Sequence, residues 1–136
     1  MRFMVLVKAN EDTEAGEMPK EADLAAMGKY NEELVKAGVM LAGEGLQASS
    51  KGARIDFNGD EPTVIDGPFA ETKELIAGFW IIQVSSREEA VEWAKRVPFR
   101  EGVLELRQVF ESEDFADVCP DIVAQENALR EQITGS

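Results

Sequence analysis

A chain of 136 residues with 44% hydrophobic side chains has the size and composition of one globular domain with its own core. Its 27 acids against 14 bases give a net charge of −13, and no basic run exceeds Lys95-Arg96. Nucleic acid and anionic membranes are therefore not expected partners, since both need clustered cations. With no histidine and one cysteine, Cys119, the chain lacks an internal disulfide, a Ser-His-Asp or Cys-His nucleophile and the usual zinc donors.

In chain order, residues 3–8 form a short apolar run that predicts a buried strand. That run is too short for a signal peptide, and no apolar run could span a bilayer, so a cytoplasmic protein is expected. Residues 10–20, acidic with Gly16 and Pro19, predict a loop. Leu24, Met27, Tyr30 and Leu34 recur at three- and four-residue steps and predict a helix over 20–37, stopped by Gly38. A short extended piece follows, broken by Gly43 and Gly45. Ala53, Ile55 and Phe57 alternate with Arg54 and Asp56, the period of a strand with one apolar face. Asn58-Gly59 favours a turn, with a loop to Pro62 longer than two residues before a strand over 63–66. Asp56 to Glu61 has the wrong spacing for an EF-hand. No phosphate-binding glycine motif occurs.

Residues 70–77 read as a loop, and 78–84 as a central β-rich strand. Ser86 and Glu89 form a capping-box pattern opening a helix that ends by Pro98. Residues 103–110 predict the last strand. Phe115, Val118, Ile122, Leu129 and Ile133 predict a helical tail broken at Pro120, with Pro120 in the first turn of the second piece. The tail is acidic, with seven acids and one base over 111–136. It is expected to pack its apolar residues on the domain or across a dimer. The order β-α-β-β-β-α-β predicts an α+β, ferredoxin-like antiparallel sheet with an added hairpin. Two helices cover one sheet face only, which predicts a homodimer through the other.

Chemistry concentrates in Asp66-Gly67-Pro68-Phe69-Ala70-Glu71-Thr72-Lys73-Glu74. Asp66, at a strand end, is the candidate catalytic carboxylate, a general base if burial raises its pKa. Equally, it could accept backbone N–H groups in an Asx turn. Lys73 and Glu71 are candidate ligand contacts, or partners of one another. Arg54 and Arg107 would clamp an anion from inside a barrel or face solvent. Glu44 lies between two glycines, where backbone can approach a ligand. Trp80, Trp93, Phe79 and Phe99 follow element periods and are expected in the core. No metal and no cofactor is expected. Two functions remain open: a small-molecule-binding or carboxylate-based enzyme, or a non-catalytic regulatory module contacting a partner through its acidic tail.

The nine-residue stretch resembles the signature of YCII-related proteins of the DGPF type. Ala42-Gly43-Glu44-Gly45-Leu46, Gly78-Phe79-Trp80-Ile81-Ile82, Glu89-Ala90-Val91-Glu92-Trp93-Ala94 and Gly102-Val103-Leu104-Glu105-Leu106-Arg107 extend the likeness over about residues 1–112. The acidic extension, 113–136, lies outside it. The resemblance implies a bacterial protein and a dimeric α+β barrel. Some YCII-like relatives are proposed to use a His and Asp pair; the Asp corresponds to Asp66, and the His has no counterpart here. Members of the DGPF type often accompany alternative sigma factors, which implies a signalling or accessory role.

Overall fold

In the structure, a computed structural model, residues 1–134 are described. Strand β1 (Arg2–Lys8) runs antiparallel between β5 (Ile76–Gln83) and β6 (Leu104–Gln108), and β2 (Met40–Gly45) pairs antiparallel with β5 on its other side. The sheet order β2-β5-β1-β6 is that of a ferredoxin-like α+β fold. Between β2 and β5 the chain inserts a separate two-stranded ribbon, β3 (Ala53–Asn58) with β4 (Glu61–Asp66). The α+β class with an antiparallel sheet is as expected, but four strands, not three, stand between α2 and α3, because the short extended piece expected as broken forms β2 and pairs with β5.

Helices α2 (Glu21–Lys36) and α3 (Arg87–Lys95) supply the core's helical side. Alternation on the strands sends Phe3 and Val5 of β1, and Trp80 and Ile82 of β5, into a core completed by Tyr30, Leu34, Val39, Val84, Ala90 and Val97. The Tyr30 hydroxyl donates to the Trp93 carbonyl at 2.8 Å, tying α2 to α3, and burial pushes this phenol up to about 12. Its ring meets Trp80 edge-on at 5.5 Å, and Trp80 Nε1 donates to Asn31 Oδ1 at 2.8 Å. Gly43 gives Trp80 its room: a Cβ there would lie 2.8 Å from Trp80 Cδ1. Trp93 packs partly buried against this core. Phe79 lies on the opposite side of β5 and Phe99 is 41% exposed, so neither joins the core as expected.

Several local expectations are corrected. The stretch 10–20 is not all loop, because α1 (Glu11–Glu14) forms there. Asn10 Oδ1 accepts from Thr13 N–H at 2.8 Å while Thr13 Oγ1 accepts from Asn10 N–H at 2.9 Å, a capping box that supports even one turn of helix. Strand β2 is continuous through Gly43 and bulges between Met40 and Ala42 instead of breaking. The β3–β4 connection is a two-residue loop, since Asn58 pairs with Glu61, and Gly59 takes φ +76° in it. Pro62 is tolerated inside β4 because a two-stranded ribbon leaves each strand an open outer edge. At α3, Ser86 Oγ accepts from Glu89 N–H at 3.1 Å, but the Glu89 carboxylate reaches past the cap to the hydroxyl and N–H of Ser85. Those bonds lower its pKa.

The tail is helical over α4 (Ile122–Thr134), with Pro120 before the helix, not in its first turn. The last two residues of the expected extension, 135 and 136, lie outside the described residues. The tail's main packing partner is the single helical turn Ser112–Phe115, which Phe110 joins through a ring contact with Phe115. No residue of α4 is buried, and Val118 and Ile133 are exposed. Of the residues expected to dock, Phe115 packs on Phe110 and Ile122 is half-buried, while Val118 and Leu129 are exposed.

Leu34 is fully buried. Leu34→Ala should therefore lower unfolding free energy by about 2–5 kcal/mol, the cost of a core cavity. Chemical denaturation checks this, and a loss below ~1 kcal/mol would contradict the packing.

Candidate functional site

The turn after β4 is built around a contact only glycine permits. The Gly67–Pro68 peptide is cis, and Gly67 N–H donates to the Gly52 carbonyl at 3.0 Å. A Cβ on Gly67 would fall 1.8 Å from the Ser49 carbonyl oxygen, far inside any contact distance. Ser49 belongs to the short helical turn Ser49–Lys51. Its hydroxyl donates to Glu14 Oε1 in a very short bond and accepts from Phe69 N–H at 3.0 Å. Its own N–H donates to Glu14 Oε2 at 3.0 Å. The end of α1, the Ser49 turn and the Asp66-to-Phe69 segment are thereby latched together.

The latch presents Phe69 to the ribbon. The Arg54 guanidinium of β3 lies over the Phe69 ring, 4.0 Å from its centre, a cation–π contact. The chain then forms a helical turn at Thr72–Glu74, where Glu71 and Glu74 meet. A hydrogen bond from Glu71, then its negative charge, raise the Glu74 pKa above the ordinary carboxylate value; nearby Arg54 and Lys8 pull it partly back. A planar cation on an aromatic ring thus stands near Glu74, whose carboxyl holds a proton more readily than a lone glutamate.

The other expected residues are distributed differently. Asp66 pairs across the ribbon with Ala53, on the side carrying Ile55 and Val64, whereas Arg54 belongs to the opposite side. The Asp66 side chain is exposed and makes no hydrogen bond or ion pair among the described residues. The Asx turn does not form, for a physical reason. Gly67 N–H is taken by Gly52, Pro68 has no N–H, and Phe69 N–H is taken by Ser49. Lys73 is also exposed and unpaired among the described residues. Glu44 pairs with Phe79 across β2 and β5, and Arg107 sits on edge strand β6, paired with Glu105 at 3.3 Å. The structure therefore brings Arg54, Glu71 and Glu74 together and leaves Arg107 apart.

Sequence reading missed Glu14, Ser49, Phe69 and Lys8 as site-building residues. Among the described residues no group of three acidic or cysteine side chains converges on a metal position, and no helix is long and apolar enough to cross a membrane. A groove of about 380 Å³ lies between α3 and β6 over Val91, Leu104 and Leu106, apart from this site.

The fold and the latched turn define a small α+β domain of the ferredoxin-like class. Within that class, the pattern of the YCII-related domain matches residues 1–113, and the chain belongs to that family. An uncharacterised protein of Rhizobium meliloti (strain 1021) is 32% identical over 89 residues, covering 63% of this chain and 72% of that protein. Among solved structures, 5-chloro-2-hydroxyhydroquinone dehydrochlorinase from Burkholderia phenoliruptrix AC1100, in complex with 2,5-dihydroxybenzoquinone, aligns over 84% of this chain and 98% of its own. Identity there is 15% and the TM-score 0.42.

Two substitutions in neighbouring positions should behave oppositely. Gly67→Ala should destabilise by at least the roughly 1–3 kcal/mol of an overpacked site, because a backbone carbonyl has no rotamer to escape into. Asp66→Asn should shift stability by less than about 0.5 kcal/mol, as for a surface position without partners. Thermal and chemical denaturation of both variants test the latch; equal effects would contradict it.

Proposed function

We propose that the protein is a homodimer that binds a small molecule at the foot of the β3–β4 ribbon and carries proton transfer there through carboxyl groups. The observation that carries this reading is Arg54 stacked on Phe69 near Glu74, whose pKa the neighbouring Glu71 raises. A guanidinium held by a ring keeps its N–H fork for an anionic or carbonyl oxygen of a ligand. Lys73 has no partner among the described residues, which leaves an ammonium for the ligand. In a chain without histidine, Glu74 is the group best placed to move a proton beside Arg54, whereas Asp66 stands on the ribbon's other side. The dimer reading rests on the sheet face away from the helices, where Met4, Leu6, Phe79 and Ile81 lie in register. The lone exposed Cys119 suits a reducing compartment, and we place the protein in the cytoplasm.

A second reading, a non-catalytic interaction module, draws on α4, whose Leu129 and Ile133 face solvent. A 13-residue helix is marginal without a packed face, so a partner along that stripe would stabilise it. The regulatory role implied by the family likeness belongs to this reading.

The raised Glu74 pKa fixes the sign of its pH dependence. Protonated Glu74 favours the folded turn below the ordinary glutamate value, and that contribution is lost as pH rises through the raised value. Carboxyl-resolved NMR titration should show Glu74 titrating above an ordinary glutamate, and Glu71→Gln should bring it down; an ordinary midpoint in the unaltered protein would contradict the influence of Glu71. The binding claim is tested by a thermal-shift screen of small carboxylic and phosphorylated metabolites, since a ligand of the folded state raises its melting temperature. At least one should stabilise the protein and lose its effect in Arg54→Ala. A screen whose hits are indifferent to Arg54→Ala would overturn the site.

A further inference from the structure

We propose that β6 is a docking edge for a second copy of this chain, the two β6 strands pairing antiparallel about a two-fold axis through Leu106. β6 ends the sheet order β2-β5-β1-β6, so only one side of it is paired. Lys8 N–H donates to the Val103 carbonyl at 3.2 Å and Val109 N–H to the Arg2 carbonyl at 2.9 Å, one at each end of a ladder that sets Phe3 against Gln108, Val5 against Leu106 and Val7 against Leu104. Hydrogen-bonded and non-bonded pairs alternate along an antiparallel ladder. Val103, Glu105, Arg107 and Val109 therefore turn their backbone groups toward β1, while Leu104, Leu106 and Gln108 turn theirs outward. Among the described residues those outward N–H and C=O groups have no main-chain partner, and such a row is a template for another strand. The opposite edge, β2, is blunted by its bulge between Met40 and Ala42, whereas β6 keeps an unbroken register and holds no proline.

Charge selects the occupant. On the sheet face away from the helices, β6 and its flanks present the row Val103, Glu105, Arg107 and Val109. Turned antiparallel about Leu106, this row meets its own copy with valine against valine and glutamate against arginine at every position. It is self-complementary, as a two-fold interface requires of a patch that meets itself. Glu105 and Arg107 fall at the non-bonded positions of the new ladder, where facing side chains come closest and opposite charges stabilise the pairing. Within one copy Arg107 bonds Glu105 at 3.3 Å with its side chain 72% exposed, so it can turn across the axis without leaving a buried position. On the helical side, Leu106 meets Leu106 of the second copy at the mouth of the groove between α3 and β6, and Leu104 meets Gln108. Each outward residue then exchanges both its N–H and its C=O with the second copy.

This contact uses the sheet's edge and is separate from the sheet-face homodimer proposed above; together the two build assemblies larger than a dimer. Sedimentation over a wide concentration range compares the full-length protein with Glu105→Arg, with the double exchange Glu105→Arg, Arg107→Glu, and with Gln108→Pro, and far-UV circular dichroism checks the fold of each. Proline at 108 removes an outward N–H that β1 does not use, a position an edge strand tolerates. The full-length protein should show an association step that Gln108→Pro loses. Glu105→Arg sets arginine against arginine and should weaken that step by at least about fivefold. The double exchange is self-complementary again and should restore it to within about twofold. Association of Glu105→Arg as tight as the parent's, or a double exchange as weak as the single, overturns the pairing. Association intact in Gln108→Pro overturns the edge contact and leaves assembly to the sheet face. A parent that is monomeric at every concentration overturns both contacts.

Discussion

The approach of Gly67 to the Ser49 carbonyl is the contact on which the site depends. Two segments more than fifteen residues apart in sequence can touch there only because one side chain is a hydrogen atom. Once they touch, the Ser49 hydroxyl is shared between the Glu14 carboxylate and the Phe69 amide, which fixes where Phe69 points. Arg54 then has a ring to lie on, and Glu71 and Glu74 follow within a single turn. The site is thus a consequence of backbone proximity first and of charge second. The short α1 helix, too small to add to the core, matters because its capped turn delivers Glu14.

The sheet imposes the second constraint. Its helical side is closed by Tyr30, Leu34, Ala90 and the strand residues that meet them. On the other side, Met4, Leu6, Phe79 and Ile81 lie in register across β1 and β5 and are only half-buried. The ribbon and α4 repeat this condition on a smaller scale, each with an apolar side that its own chain leaves open. Burial of a large apolar side chain is worth about 1.5–3 kcal/mol, so covering these surfaces would be stabilising. The net charge of −13 opposes indiscriminate association.

Elements that bury a periodic face were legible in the sequence. Leu34 and Tyr30 marked α2, Gly38 with φ +73° marked its end, and the Phe79-to-Val84 run marked the central strand. The ribbon's alternation was visible too, although not its two-residue turn, because Pro62 suggested a later restart. What escaped were contacts between segments distant in sequence. Nothing local to Ser49 announces a latch, and nothing local to Glu14 says that a one-turn helix will carry it there. Asp66 was read as either a base or a turn acceptor. The turn role failed because Gly52, the Pro68 ring and Ser49 leave no backbone donor for it, a tally that needs the tertiary structure. Arg54 and Arg107 looked equivalent along their strands, and only the topology separates them, one onto Phe69 and the other onto an edge strand beside Glu105.

The central claim is that the Ser49 latch positions Phe69 beneath Arg54. The most direct measurement is the proton NMR shift of the Arg54 δ and ε hydrogens in the parent and in Ser49→Ala. A ring face about 4 Å away, as in a formed cation–π pair, should move these resonances upfield in the parent. In Ser49→Ala they should return toward unstructured values while the core methyls of Leu34 and Ile82 keep their shifts. An upfield shift of the same size in both proteins would contradict the latch.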